Sequence, residues 1–190
     1  MLGQRSFKME NILIHETDRG SVVVGAIYIE AELENLLRAK FELESNTTAG
    51  EIRELLTGYM APLGTLAAKT KLAYALGLIN SEVRDIIDGI RAIRNAMAHK
   101  KVHRISTPAV NKMFAKLPWR IKRYSTAAMS DALSGIKRAK PREPAFSKEL
   151  YSASGFRKSR MRLAFVVSMT CAMLQGATQK LVKRRPKAQN

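Results

Sequence analysis

Aliphatic side chains return every three to four residues along this chain, and no stretch carries the alternation of a strand. Val22, Val23, Ala26, Ile27, Ile29, Leu33, Leu36, Leu37 and Phe41 follow at helical spacing. Asp18 stands where a cap would, with the helix beginning at Arg19. Further on, Ile86, Ile90, Ile93 and Met97 fall within about 60° of arc when each residue turns about 100°. Apolar stripes of this kind are buried by packing helix on helix, so the expected fold is all-α, a single helical bundle. Aromatics make up only 6% of a chain that is 46% hydrophobic, so the core must be aliphatic and Met-rich, which suits helices.

The punctuation between the stripes agrees. Glu30, Glu34 and Arg38 step by four and read as one exposed face with a favourable Glu34–Arg38 pair. Thr48-Ala-Gly-Glu51 is a capping box, so a short helix should run from about Ala49 to Thr57 and stop at Gly58. Pro62-Leu-Gly64 is a turn. Thr65 can cap the next helix, with Leu66, Leu72, Ala73 and Leu76 inward and Gly77 as its stop. Ser81 is the expected cap of a helix from about Glu82 to His99, whose outer face carries Arg84, Asp88, Arg91, Asn95 and His99. Arg94 lies at the edge of the buried stripe, and the structural alternative to a functional role is a pair with Glu30 or Glu34 on the first helix.

After His99 the text changes. Thr107-Pro108 is a good start for a short helix to about Leu117, and a second could lie near Thr126–Lys137. Pro141-Arg-Glu-Pro144 reads as a linker, and a long C-terminal helix is expected from about Ser154 to Val182, broken by Lys183-Arg-Arg-Pro186. The organisation expected is a flexible lead-in over 1–16 and a bundle over 17–182. The bundle holds a basic, insertion-like region at about 100–150, and a basic, disordered tail over 183–190 follows it.

Charge divides the chain in the same place. Met1 to His99 holds eleven Lys and Arg against thirteen Asp and Glu, a net of −2; the remaining ninety-one residues hold twenty-two against three, a net of +19. A cationic half of this size points to a polyanion, first of all nucleic acid, with an acidic membrane surface as the rival. The candidates for phosphate contact are Arg120, Lys122 and Arg123; Lys137, Arg138, Lys140 and Arg142; Arg157, Lys158, Arg160 and Arg162; and Lys183, Arg184, Arg185 and Lys187. The first cluster sits beside Trp119 and Tyr124, a pairing that could stack a base as well as hold a phosphate.

Other function classes find little footing. The first twenty residues lack a secretory leader pattern, and the most apolar run, Leu163 to Leu174, is too short for the roughly 20 residues of a bilayer span. A cytoplasmic protein with no membrane span is expected, although basic residues flank that run as they would in an interfacial helix. Cys171, the only cysteine, sits inside the run and reads as a small buried hydrophobe in a reducing compartment. His15 and His103 have no metal-ligand spacing with His99, and there is no Gly-rich phosphate cradle. No cofactor and no metal are expected.

Two stretches carry a family likeness. Ala61-Pro-Leu-Gly-Thr-Leu-Ala-Ala-Lys-Thr-Lys-Leu-Ala-Tyr-Ala-Leu-Gly-Leu-Ile-Asn80 resembles the mannitol operon repressor family, with an acidic-aliphatic helix before it and a long C-terminal helix closing the domain. That likeness spans about 17–100 and, more loosely, the last helix. It implies a helical bundle without a helix-turn-helix that represses transcription, in part through protein partners. Arg94-Asn-Ala-Met-Ala-His99 is similar to the Arg-x4-His motif of the HEPN helical superfamily, which includes dimeric ribonuclease toxins and members with no catalysis. The first likeness implies a non-enzymatic regulator; the charge division adds a basic C-terminal half touching DNA or RNA, and a homodimer is expected. The second implies a metal-independent endoribonuclease in which Arg94, Asn95 and His99 form a composite site between two protomers, His as general acid–base and Arg as the cation for the developing phosphorane charge.

Overall fold

The computed structural model describes residues 12–13, 15–44, 46–58, 60–99, 104–105, 108–109, 112 and 155–183, with side chains of the last stretch from 162 onward. The described chain is all-helical: α1 (Asp18–Glu44), α2 (Ala49–Leu56), α3 (Leu66–Ala75), α4 (Ser81–His99) and α5 (Gly155–Lys183). The all-α bundle with a long C-terminal helix is what the periodicity predicts. The helices expected near 107–117 and 126–137, the linker at 141–144 and the tail beyond Lys183 lie outside the described residues.

α1 and α5 form the principal seam. Gly25 of α1 sits under Val167 of α5, and Glu32 accepts a hydrogen bond from Gln175 Nε2 at 2.6 Å. These contacts climb in the same order along both helices, so the two run parallel. Ile29, Leu33, Leu36 and Leu37 from α1 meet Leu163, Val166, Val167, Cys171 and Leu174 from α5 in a fully buried aliphatic core. α4 adds Val83, Ile86, Ile87, Ile90 and Met97, so the isoleucine stripe faces inward as expected. Two buried hydroxyls are satisfied inside their own helices: Thr70 donates to Leu66 O at 2.6 Å and Thr170 to Val166 O at 2.7 Å.

The caps are where sequence and structure differ by one residue. The Thr48 capping box forms as read, with Glu51 accepting from Thr48 N–H at 2.8 Å. Those bonds from Thr48 hold the Glu51 carboxyl below its ordinary range. Thr65 caps α3 through Ala68 N–H at 3.1 Å. At α1, however, Thr17 Oγ1 accepts from Gly20 N–H at 3.0 Å, while Asp18 is already helical and its carboxylate accepts from Ile105 N–H at 2.9 Å. Asp18 therefore ties the chain leaving α4 back to the start of α1, where Ile105 is buried. At α4, Asn80 Oδ1 accepts from Val83 N–H at 3.0 Å, so Asn80 is the cap and Ser81 the first helical residue. Asn80→Ala should cost about 1 kcal/mol in a denaturant melt and Ser81→Ala no more than about 0.5. The reverse order would restore Ser81 as the cap.

Gly77 ends α3 at φ +66°. Its N–H donates to Tyr74 O at 3.0 Å and that of Leu78 donates to Ala73 O at 2.9 Å, the paired bonds of a Schellman motif. The turn swings Leu76 outward, so it is exposed rather than inward as its spacing suggested. Among the described residues of the lead-in, Leu13 is buried, and its carbonyl accepts from the Ser21 hydroxyl at 2.6 Å.

The Glu30–Glu34–Arg38 face is also different from its sequence reading. It is half-buried, because α3 lays Lys69 across it. Lys69 Nζ lies 3.2 Å from Glu30 and 3.2 Å from Glu34, and Glu34 also holds Arg38 at 3.1 Å. The Lys69 side chain keeps only 4% of its surface exposed, a lysine at an inward position held there by two carboxylates.

Candidate nucleic-acid interface

α4 presents two faces. Inward lies the isoleucine stripe. Outward, the polar residues behave differently along the helix. Near its start, Arg84 pairs with Asp85 at 2.9 Å and its guanidinium sits 4.4 Å from the centroid of the Tyr74 ring, joining α4 to α3. Arg91 pairs with Asp88 at 3.1 Å, one turn back. Over the last turns Arg94, Asn95 and His99 are all exposed, and none makes a side-chain hydrogen bond or ion pair among the described residues.

That exposure corrects one expectation. Glu30 and Glu34, the carboxylates set against Arg94, are taken by Lys69 instead. Arg94 thus makes no ion pair among the described residues. Asn95 and His99 share one face of α4 at i and i+4, while Arg94 points about 100° away from Asn95. The end of α4 therefore offers one imidazole and one guanidinium with no ion-pair partner among the described residues.

The basic candidates are only partly within view. Arg157, Lys158 and Arg160 lie on the first two turns of α5. Arg162 follows half-buried, and Lys183 is exposed at the last residue of the helix. Lys180 and Lys183 in that last turn oppose the negative end of the helix dipole. Arg120, Lys122, Arg123, Lys137, Arg138, Lys140, Arg142, Arg184, Arg185 and Lys187 lie outside the described residues, as do Trp119 and Tyr124.

Comparison with protein-family models, with curated proteins and with solved structures returns no match. Residue chemistry alone therefore bears on function. Among the described residues no group of three His, Cys, Asp or Glu side chains gathers as a metal site would require, and no helix is long and apolar enough to cross a membrane.

Cys171 is buried in the α1–α5 seam. Burial, and then the nearby Glu32 carboxylate, push its thiol up to about 12. The folded protein should leave a disulfide reagent unreacted at pH 8, and reaction should begin only as denaturant unfolds it. Because the folded thiol keeps its proton to higher pH than the unfolded one, stability should fall as pH rises above about 9. Fast labelling of the native protein would place the thiol at the surface.

Two features are not declared by spacing alone: Lys69 and Gly25. Lys69 carried a readable signal, since it shares the inward face of α3 with Leu66, Thr70 and Ala73. A lysine there needs a carboxylate partner from another element.

Proposed function

We propose that this chain is a non-enzymatic regulator of transcription, a helical bundle whose basic C-terminal half contacts DNA or RNA as a cytoplasmic homodimer. The observation that carries this reading is the division of charge, −2 before Lys100 and +19 from there on. Arg38, Lys40, Lys69, Arg84 and Arg91, which form ion pairs among the described residues, all belong to the near-neutral half. Lys180 and Lys183 end α5 exposed, and Arg184, Arg185 and Lys187 continue the run. Cations of this kind neutralise phosphates with little sequence preference, so target choice would fall to a protein partner or to base stacking at Trp119 and Tyr124.

The test is deletion of 183–190, which removes Lys183, Arg184, Arg185 and Lys187. At 100 mM salt, binding to a short duplex should weaken at least tenfold, and the slope of log affinity against log salt should shrink by about 3 to 4. Unchanged affinity would remove the tail from the interface.

One observation favours a second reading. Arg94, Asn95 and His99 are exposed together with no side-chain hydrogen bond or ion pair among the described residues, as residues of a composite endoribonuclease site between two protomers would be. Induced expression of the native chain would then arrest growth and cleave RNA, and His99→Ala would abolish both. Harmless expression with intact RNA leaves the regulator reading.

A further inference from the structure

At the end of the bundle remote from Asp18 lie residues 36–44 of α1 and 173–181 of α5, the two parallel helices of the principal seam. Between them opens a groove of about 680 Å³. Leu36 and Leu43 of α1, Leu76 and Leu78 of the turn after α3, and Met173 and Leu181 of α5 make its apolar walls. It shares Gly77, Leu78, Met173 and Ala177 with a second hollow of about 440 Å³ that runs on towards Val83. The lining spans two turns of each helix, about 12 Å at 1.5 Å per residue. The groove's size falls within the roughly 300–1,000 Å³ of small-molecule sites.

Three charged residues line the groove: Lys40, Glu44 and Lys180. Lys40 is held by Glu44, whereas Lys180 is exposed and has no ion-pair partner among the described residues. The lining therefore carries one ammonium group in excess. That sign disfavours the chain's own C-terminal half as occupant, because its net charge is +19. It favours an anion with an apolar body.

Gly176 adds the third observation. It lines the groove, and a Cβ built on it would meet nothing within 4 Å among the described residues. The absence of a side chain there leaves open the space along which a chain would lie. This glycine serves no close approach of helices, unlike Gly25 in the same seam.

We propose that this groove binds a free single-chain anionic amphiphile, a medium-chain fatty carboxylate, with its hydrocarbon along the α1–α5 cleft over Gly176 and its carboxylate at Lys180. The ligand class goes beyond the nucleic-acid reading and does not depend on it. A site so placed bears on the two helices that hold the bundle together, and α5 runs directly into the basic tail.

The experiment is calorimetric titration of the full chain with dodecanoate below its micelle threshold, without nucleic acid. Dodecyltrimethylammonium and phosphatidylglycerol vesicles serve as comparison probes. Saturable one-to-one binding of dodecanoate is expected, with the cationic probe at least tenfold weaker. Gly176→Phe, which fills the groove from a position with open space, should weaken dodecanoate at least tenfold with an unchanged melting curve. Lys180→Gln should weaken dodecanoate severalfold while leaving dodecanol binding unchanged. The comparison of probes on the native chain stands even if a variant fails to fold. Absence of saturable binding overturns the proposal. So do equal binding of the cationic probe, dodecanoate affinity indifferent to both substitutions, and binding confined to the vesicles.

Discussion

Gly25→Leu should unfold this protein at denaturant concentrations that leave the native chain intact, with a loss of at least about 3 kcal/mol. A Cβ at Gly25 would stand 2.9 Å from Val167 Cγ2, closer than carbon atoms tolerate. The neighbour cannot move far, because Val167 is fully buried and the helices around it are packed without slack. Gly25→Ala is the informative milder change. Alanine in a helix interior is worth up to about 1 kcal/mol over glycine, so a substitution that still destabilises shows the clash outweighing propensity. The net loss expected is about 1 kcal/mol. Truncating the facing side chain should relieve it: in Gly25→Ala with Val167→Ala, the combined loss should be smaller than the sum of the two single losses. Strict additivity would separate the two residues.

Lys69→Met has the next largest expected effect, a loss of about 2 kcal/mol. Methionine keeps most of the length of the stem and its packing, so the loss reports the ammonium group. Without it Glu30 and Glu34 face each other across one turn of α1 with no cation between them. Removing one partner of a buried ion cluster commonly costs about 3–5 kcal/mol. Here the two carboxylates keep 26% and 21% of their side-chain surface, so water recovers part of that penalty. Adding Glu30→Gln and Glu34→Gln to Lys69→Met should return part of the stability, since no like charges then remain. A loss below about 0.5 kcal/mol for Lys69→Met would reduce the cluster to an ordinary surface pair.

The architecture was legible because helical stripes are local. Ile86, Ile90 and Met97 declare one face without knowledge of any partner, and Thr48 and Thr65 cap helices through bonds spanning three residues. The displaced caps at Thr17 and Asn80 have a local cause as well: two adjacent residues in each place, Thr17-Asp18 and Asn80-Ser81, can each accept from the first turn. Asp18 gave up the cap because Ile105, 87 residues on, offers it a donor. Lys69 and Gly25 depend on contacts 35 to 142 residues away, which spacing within one helix does not encode. On the outer face of α4 the position of Arg94, Asn95 and His99 was readable, but their freedom from Glu30 and Glu34 followed only from where α3 lies.

The central claim, that a near-neutral helical scaffold carries a cationic half to nucleic acid, is tested most directly by equilibrium binding of the full chain to a short DNA duplex and to an RNA of equal length across 50–200 mM salt. Six or more phosphate contacts should make affinity fall by about a thousandfold or more over that range, on a straight line in log–log coordinates. Binding that does not change with salt, or no binding of either nucleic acid at 50 mM, would contradict it.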